Sequence, residues 1–384
     1  MSLSNKKVTS IIKELIEYWK VTPKHSEGTI LGSMTTEPHP IAVYAHQLFI
    51  HTNYGDKTLF NTLKLFENEI FSFMSKLYGE MEYGLVTSGG TESNILALYV
   101  AKQLSSNREN IVIAPDTVHV SIDKACKLLG YKLVKIPTRE AGPVDYHLVE
   151  EYTRRYKPFA IVVTAGTTER GVVDPIKQIA DIAYDTRTFL HVDASYGGLI
   201  VPFLYKHGYL NVNTYFYNGV SSISVDFHKN GLAPIPAGTI MFSEKKARDV
   251  VCFKAPYTLQ GEYCGLLGTR PGGSIAAIWA IIKYMGIEGY EELAMEMYKR
   301  AINLYDSLLS IPGIQAYKPQ LPIVVFKHSI IKSEELLKRL MEKGIYLYRA
   351  PSLNALRVVV MPHVRDEHIE KLVQAIRDIV ETSC

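Results

Sequence analysis

Asp193 closes the apolar run Thr188-Phe189-Leu190-His191-Val192, and Lys229 closes a second run beginning at Ser221. An ionised carboxylate at the end of a buried strand needs a cationic partner, or its burial is costly. A protonated pyridine nitrogen is such a partner, and the pairing keeps the ring charged and electron-withdrawing. Ala194, Gly197 and Gly198 leave room beside it for a flat ring. Taken alone, an acid here more often caps the following turn. Lys229 can attack an aldehyde to form a Schiff base. Taken alone, it is a lysine reaching from a strand end to water. Together, the acid and the amine each account for the other.

Three further groups join them. In Thr87-Ser88-Gly89-Gly90-Thr91-Glu92-Ser93-Asn94, Gly89, Gly90 and Thr91 precede a helical pattern. Backbone N–H groups and a hydroxyl at a helix start can hold a phosphate; the plainer reading is a glycine turn with Thr91 as helix cap. His119, in a loop after a strand, can stack on a ring, or can be an ordinary surface histidine. Thr168, in Ala165-Gly166-Thr167-Thr168-Glu169-Arg170-Gly171, can reach a ring oxygen, or can cap its own turn. All five groups fall at the C-terminal ends of successive strand candidates, where open α/β sheets bind ligands.

The elements that must position them follow from hydrophobic periodicity. Runs at 110–114, 131–136, 159–166, 188–195, 221–229 and 237–243 read as strands, with helices at 119–129, 145–156 and 175–184 between them. Strand–helix alternation with continuous apolar strands predicts a mostly parallel sheet covered on both faces. Upstream lie an amphipathic helix over about 8–20, an extended arm from Thr22 to Pro40 and helices over 41–51 and 58–78. Downstream lie helices over 272–285 and 288–310, then strand and helix segments over 322–380 that form a small α+β unit. The division expected is 1–50 for helix and arm, 51–290 for a large domain and 291–384 for a small one.

The 384 residues carry a net charge of +3, with 47% hydrophobic and 21% charged residues. That balance points away from nucleic acid or another polyanion as partner. No signal-peptide pattern and no run of 18 apolar residues is present, so a cytoplasmic protein without membrane contact is expected. Cys126, Cys252, Cys264 and Cys384 are widely spaced without a CxxC pair, so neither a metal site nor a redox motif is expected.

These motifs in this order (TSGGTESN, PDTVHVSIDKA, TAGTTERG, HVDASYGG and SVDFHK) resemble the group II pyridoxal phosphate (PLP)-dependent amino-acid decarboxylases. The resemblance covers nearly the whole chain, and is nearest to the archaeal tyrosine/aspartate decarboxylases. It implies the aspartate-aminotransferase-like fold, PLP fold type I, with a seven-stranded, mostly parallel sheet and a small C-terminal α+β domain. Lys229 would be the Schiff-base lysine and Asp193 the partner of the ring nitrogen. Ala194 and His119 would pack on the two ring faces. Gly89, Gly90, Thr91 and His228 would hold the phosphate, Asp226 would support that end, and Thr168 would lie by the ring oxygen. Thr269 corresponds to a position that reaches the neighbouring subunit's phosphate, which implies a homodimer with shared active sites. Arg357 would hold the substrate α-carboxylate. Tyr257 and Tyr263 are both candidates for returning a proton to the product. Two departures are Ser195 in place of a second Ala, and Asp226 where some relatives carry Asn.

The activity implied is decarboxylation of L-aspartate to β-alanine, a coenzyme A precursor, or of L-tyrosine to tyramine, with L-glutamate also open. Thr35, Thr36, His39, Asn53 and Asp56 would line the side-chain pocket, and Tyr54 or Tyr257 could frame a phenol. Two competing readings are a carbon–carbon lyase or transaminase on the same fold, and a PLP-binding subunit without activity. The first expects extra basic residues for a substrate phosphate. The second expects loss of Lys229 or Asp193, and both are present.

Overall fold

The computed structural model describes residues 5–105 and 109–382, so Cys384 lies outside the described residues. The chain opens with α1 (Asn5–Val21), an arm, α2 (Pro40–Leu48) and α3 (Asn61–Tyr78). A strand–helix alternation follows: β1 (Tyr83–Thr87), α4 (Gly90–Leu104), β2 (Glu109–Pro115), α5 (Val120–Leu129), β3 (Lys132–Ile136) and α6 (Tyr146–Tyr156). It continues with β4 (Pro158–Thr164), α7 (Ile176–Thr186), β5 (Phe189–Asp193), α8 (Val201–Lys206), β6 (Val220–Asp226) and β7 (Gly238–Phe242). Next come α9 (Lys246–Val251), the short hairpin β8 (Cys252–Lys254) and β9 (Glu262–Cys264), and the long α10 (Gly272–Leu309). The C-terminal part is β10 (Ile314–Tyr317), β11 (Ile323–His328), α11 (Ser333–Glu342), β12 (Tyr348–Ala350), β13 (Ala355–Val359) and α12 (Asp366–Glu381).

The main sheet has the order β1-β7-β6-β5-β4-β2-β3. β7 runs antiparallel to both its neighbours, and the other pairings are parallel. Every residue of β4 is buried, because helices cover both faces of a central parallel strand. The second sheet, β10-β11-β13-β12, is antiparallel. A single apolar cluster holds both sheets: it includes Ile161, Val192 and Val225 from the first and Val324, Phe326 and Val358 from the second. The small sheet is therefore packed against the large one through a shared core.

Two features were not legible beforehand. β1 is short and contains Gly84, so it lacks a strand signature. Its place is set by pairing with β7, Tyr83 opposite Phe242. The two helices expected over 272–285 and 288–310 are present, joined across a kink at Gly286 (φ 61°, ψ −170°). A positive φ of this kind suits glycine, which has no Cβ to clash. Cys252 and Cys264, expected to stand apart, are joined by a disulfide. They face each other across the β8–β9 hairpin, and that register brings residues 12 apart in sequence into contact. The remaining described cysteine, Cys126, is free and buried.

The amphipathic stripe of α1 is present but faces outward. Leu15 is 62% exposed and Trp19 60%. Among the described residues, no helix is long and apolar enough to cross a membrane.

Candidate active site

A cleft of about 360 Å³ opens at the C-terminal ends of β1, β4, β5 and β6. Asp193, Lys229, Asp226, His228, Gly89, Gly90, Thr91, His119, Thr168 and Arg357 all line it. A wider groove of about 1170 Å³ opens at the other end of the sheet, along Phe159, Phe189 and Val220, but none of these residues lies there.

β5 ends at Asp193 between β4 and β6, so the carboxylate emerges from the middle of the sheet. Ser195 donates to Asp193 Oδ1 from its backbone N at 3.1 Å and its hydroxyl at 2.6 Å. Asn94 Nδ2 donates to Oδ2 at 2.8 Å. Burial by itself would raise the pKa of Asp193. The Ser195 hydrogen bond, the charges of Lys229 and His191, and the Asn94 amide outweigh it and hold the carboxyl below its ordinary value. Asp193 is thus an anion held in a dry site, as a cationic ring nitrogen requires.

His191, fully buried beside it, has its pKa pushed down to about 4, chiefly by desolvation. For a base with a lowered folded pKa, the unfolded chain takes up the proton first as pH falls. The stability involved is fully present above the ordinary value of 6.5 and is lost between 6.5 and about 4. The expected loss is about 3 kcal/mol from this one group. Urea unfolding of the cofactor-free protein across that range should show it. The His191→Gln variant, which cannot titrate there, should show a shallower fall, and parallel pH profiles would refute the assignment.

β6 ends at Asp226, and the tight turn after it brings Lys229 back over the same carboxylate, Nζ to Oδ2 3.1 Å. His228 Nε2 lies 3.5 Å from the same oxygen, and His228 Nδ1 accepts from Ala237 N at 3.1 Å. The proton of a neutral His228 therefore sits on Nε2. Across from it stands the first turn of α4. Gly89 there has φ 142°, and a Cβ at that position would lie 2.6 Å from His228 Cε1. A Cβ on Gly90 would strike the Ser195 hydroxyl. Both glycines are required by close approach, which leaves the N-terminus of α4 open to an anion. Glu92 Oε2 accepts from Ser88 N at 2.7 Å and secures that turn.

His119 is the N-cap of α5. Its Nδ1 accepts from Ser121 N at 3.2 Å and lies 2.9 Å from Ser121 Oγ. Desolvation lowers the pKa of His119 against the opposing charges of Asp193 and Asp226. On the far wall, Arg357 of β13 donates through NH1 to the Thr168 carbonyl and lies over the Tyr348 ring, 5.7 Å from its centre. Its Nε is buried with no hydrogen-bond partner among the described residues, and so is Asp226 Oδ1. Buried polar atoms seldom stay unpaired. Both residues line the cleft, which thus has a cationic wall at Arg357 and an anionic floor at Asp226. Ala194 is fully buried one residue beyond Asp193.

The remaining candidates gather elsewhere. Asn53 Oδ1 accepts from Gly55 N at 2.8 Å and from Arg270 N at 3.0 Å, so 53–57 and 268–271 form one platform. Asp56 Oδ1 caps Thr58 N and Leu59 N, both at 3.2 Å. Thr269 is exposed on that platform. Tyr257, 81% exposed, packs edge-on to Tyr263 within the β8–β9 hairpin. None of these five residues lines the cleft of its own chain. Tyr54 is fully buried and donates to Glu67 at 2.7 Å, so it is not free to frame a substrate. Thr36 is tied to His363 Nδ1 at 2.9 Å and His39 caps α2, while Met34 of the same arm does line the cleft.

Sequence reading missed Met34, Asn94, Tyr196 and Tyr348 as lining residues. Asn94 had a local signal: it stands four residues after Gly90, on the same face of α4. Tyr348 had none, since only β12–β13 register places it opposite Arg357.

An acid, a lysine and a glycine turn at a helix start thus line one cleft at the strand ends of a doubly covered α/β sheet. Residues 66–329 match the family described as the pyridoxal-dependent decarboxylase conserved domain, and the chain belongs to that family. It is 39% identical to an L-aspartate decarboxylase of Thermococcus kodakarensis, over 97% of each chain. It is 37% identical to a probable L-tyrosine/L-aspartate decarboxylase of Methanococcus maripaludis, over 95% of this chain and 97% of the other. Its fold matches a sphingosine-1-phosphate lyase of Burkholderia pseudomallei with a TM-score of 0.87 and 23% identity, covering 99% of this chain and 91% of that one. The protein is thus a PLP-dependent decarboxylase of fold type I that acts on an amino acid, and its cofactor is pyridoxal phosphate.

Proposed function

We propose that the chain decarboxylates L-aspartate to β-alanine or L-tyrosine to tyramine, with the cofactor held at the site described above. The carrying observation is Arg357: a buried guanidinium with an unpartnered Nε, in the same cleft as Asp193 and Lys229. The fork of an arginine matches a carboxylate. Pyridoxal phosphate, when bound, supplies an aldehyde for the substrate amine and an electron sink for the carbanion that remains when carbon dioxide leaves. Lys229 holds the cofactor covalently and moves protons at its Nζ. Asp193 keeps the ring nitrogen charged, and Ala194 and His119 flank the ring. Gly89, Gly90, Thr91 and His228 receive the phosphate, with Asp226 beneath them and Thr168 by the ring oxygen. Arg357 would hold and orient the substrate α-carboxylate, the group whose loss the cofactor's electron sink would support. The relatives' names support the two substrates, and glutamate is the third to test.

A homodimer with shared active sites belongs to this reading. Its support is the platform of Asn53, Asp56 and Thr269 and the hairpin tyrosines Tyr257 and Tyr263, which lie off the cleft of their own chain. The outward apolar face of α1 adds to it. The division into 1–50, 51–290 and 291–384 is likewise part of the reading, since the first sheet lies wholly within the second unit and the other sheet within the third. Cytoplasmic placement follows from a free amino-acid substrate; the Cys252–Cys264 bond weighs against it, and cell fractionation decides it.

The experiment is to incubate the purified protein with PLP and each of Asp, Glu, Tyr and Phe, and to measure carbon dioxide and amine. Turnover with Asp or Tyr is expected. Turnover confined to Glu or Phe, or none with any of the four, would overturn the assignment. Sedimentation equilibrium on the same sample should return twice the 43.2 kDa chain mass, and a single-chain mass would remove the shared site.

A further inference from the structure

Asn94 carries none of the roles above. It is fully buried, yet it borders the cleft and is bonded to Asp193 directly and to His119 through Ser121. Its Nδ2 donates to Asp193 Oδ2 and to Ser121 Oγ, both at 2.8 Å. Its Oδ1 accepts from His191 Nε2 at 2.8 Å, and His191 Nδ1 lies 2.8 Å from Ser222 Oγ.

Only one arrangement of protons satisfies this chain. An ionised Asp193 can accept but not donate, so the NH2 end of the amide must face it. The amide oxygen then faces His191, which must donate from Nε2. Nδ1 of a neutral His191 is left as an acceptor, so Ser222 must donate to it. On the other arm, Ser121 Oγ takes the second N–H of Asn94 and turns its own hydrogen towards His119 Nδ1, 2.9 Å away. Turning the amide over would set its oxygen against the carboxylate and leave His191 facing an NH2 group. The oriented amide leaves Asp193 Oδ2 with lone-pair capacity for one more donor.

We propose that Asn94 is a positioning residue: it aims Asp193 Oδ2 at the cofactor's ring nitrogen, and His191 and Ser222 lock the amide the right way round. This rests on the reading of Asp193 as the ring-nitrogen partner. It goes beyond that reading by assigning the aim and charge of the acid to a three-residue relay behind it.

The test compares binding of two ligands to the cofactor-free protein by equilibrium titration. One is pyridoxal 5′-phosphate. The other is 1-deazapyridoxal 5′-phosphate, which has a C–H in place of the ring nitrogen but keeps the aldehyde and phosphate. The wild type should prefer the nitrogen form by about 100-fold. Asn94→Ala should cut that preference by about tenfold, because the deaza form gains nothing from the relay. His191→Leu should reduce it in the same direction, and His191→Gln, which keeps an N–H donor, should restore most of it. Ser222→Ala should lower it about two- to threefold. Ser93→Ala, on the same helix turn but bonded to Thr87 Oγ1 at 2.8 Å, should leave the ratio unchanged even if overall affinity falls. A full wild-type preference that persists in Asn94→Ala and Ser222→Ala, with both ligands weakened equally or not at all, overturns the role of Asn94. A wild-type preference near unity instead overturns the reading of Asp193. Should Asn94→Ala fail to fold, the Ser222 and His191 variants decide the question alone.

Discussion

Lys229→Ala should abolish covalent attachment of the cofactor and lower turnover by about 10³-fold or more. The side chain lies 19% exposed at the cleft floor, and its Nζ is 3.1 Å from Asp226 Oδ2. Removing it leaves Asp226 buried beside His228 alone, so part of any loss could come from local disorder. Lys229→Arg separates the two effects. It keeps a cation for Asp226 but cannot form the bond to an aldehyde, so it should fold and bind phosphate yet show no cofactor–lysine absorbance band. The checks are the visible spectrum after gel filtration and amine formation under saturating substrate. Normal activity in either variant would sink the proposal for this site.

The second large effect is expected at Asp193. Asp193→Ala removes the charge that would pair with the ring nitrogen and takes an acceptor from four donors, namely Ser195 N, Ser195 Oγ, Asn94 Nδ2 and Ser224 Oγ. Cofactor affinity should fall by about 10²-fold and turnover by about 10³-fold. Asp193→Asn should rescue little. An amide there can still satisfy Ser195, but its NH2 end then meets the NH2 end of Asn94, which His191 holds in place. Retention of full decarboxylation by Asp193→Ala would show that the ring nitrogen does not depend on this acid. A pH profile adds an independent readout. The Asp193 carboxyl is held below its ordinary value, so wild-type cofactor binding should persist on acidification until that lowered pKa is passed.

Asp193, Lys229 and His119 were legible because each is a local event near the end of a buried strand, and the Gly89–Thr91 turn because two glycines and a hydroxyl precede a helical pattern. A parallel strand covered on both faces reads as a continuous apolar run, and the residue where it stops is visible without knowing its neighbours. The order of these strand ends along the chain carried the family resemblance, and with it the cofactor. Arg357 came only through that resemblance. Nothing local to Ala355–Val359 says that β13 lies against the loop carrying Thr168. Asn53, Asp56, Tyr257 and Tyr263 were assigned to the site through the resemblance, and Thr269 to the neighbouring subunit's site; the fold gathers all five on a separate platform and hairpin. The partnership of Cys252 with Cys264 was equally hidden, because it follows from hairpin register.

By itself, then, the sequence determined the alternation that makes the sheet and the chemical identity of the residues at its strand ends. It also determined that a lysine and an acid suited to one cofactor stand near the ends of successive strand candidates. The tertiary structure alone decided what surrounds them: Lys229 on Asp226, Asn94 between Asp193 and His191, and Arg357 with an unpaired nitrogen over the same slot. The physical reason is one of range. Strand ends and turn glycines are dictated by residues a few positions away. Hydrogen-bond partners of buried side chains are dictated by which elements the core packs together, and no short stretch of sequence contains that.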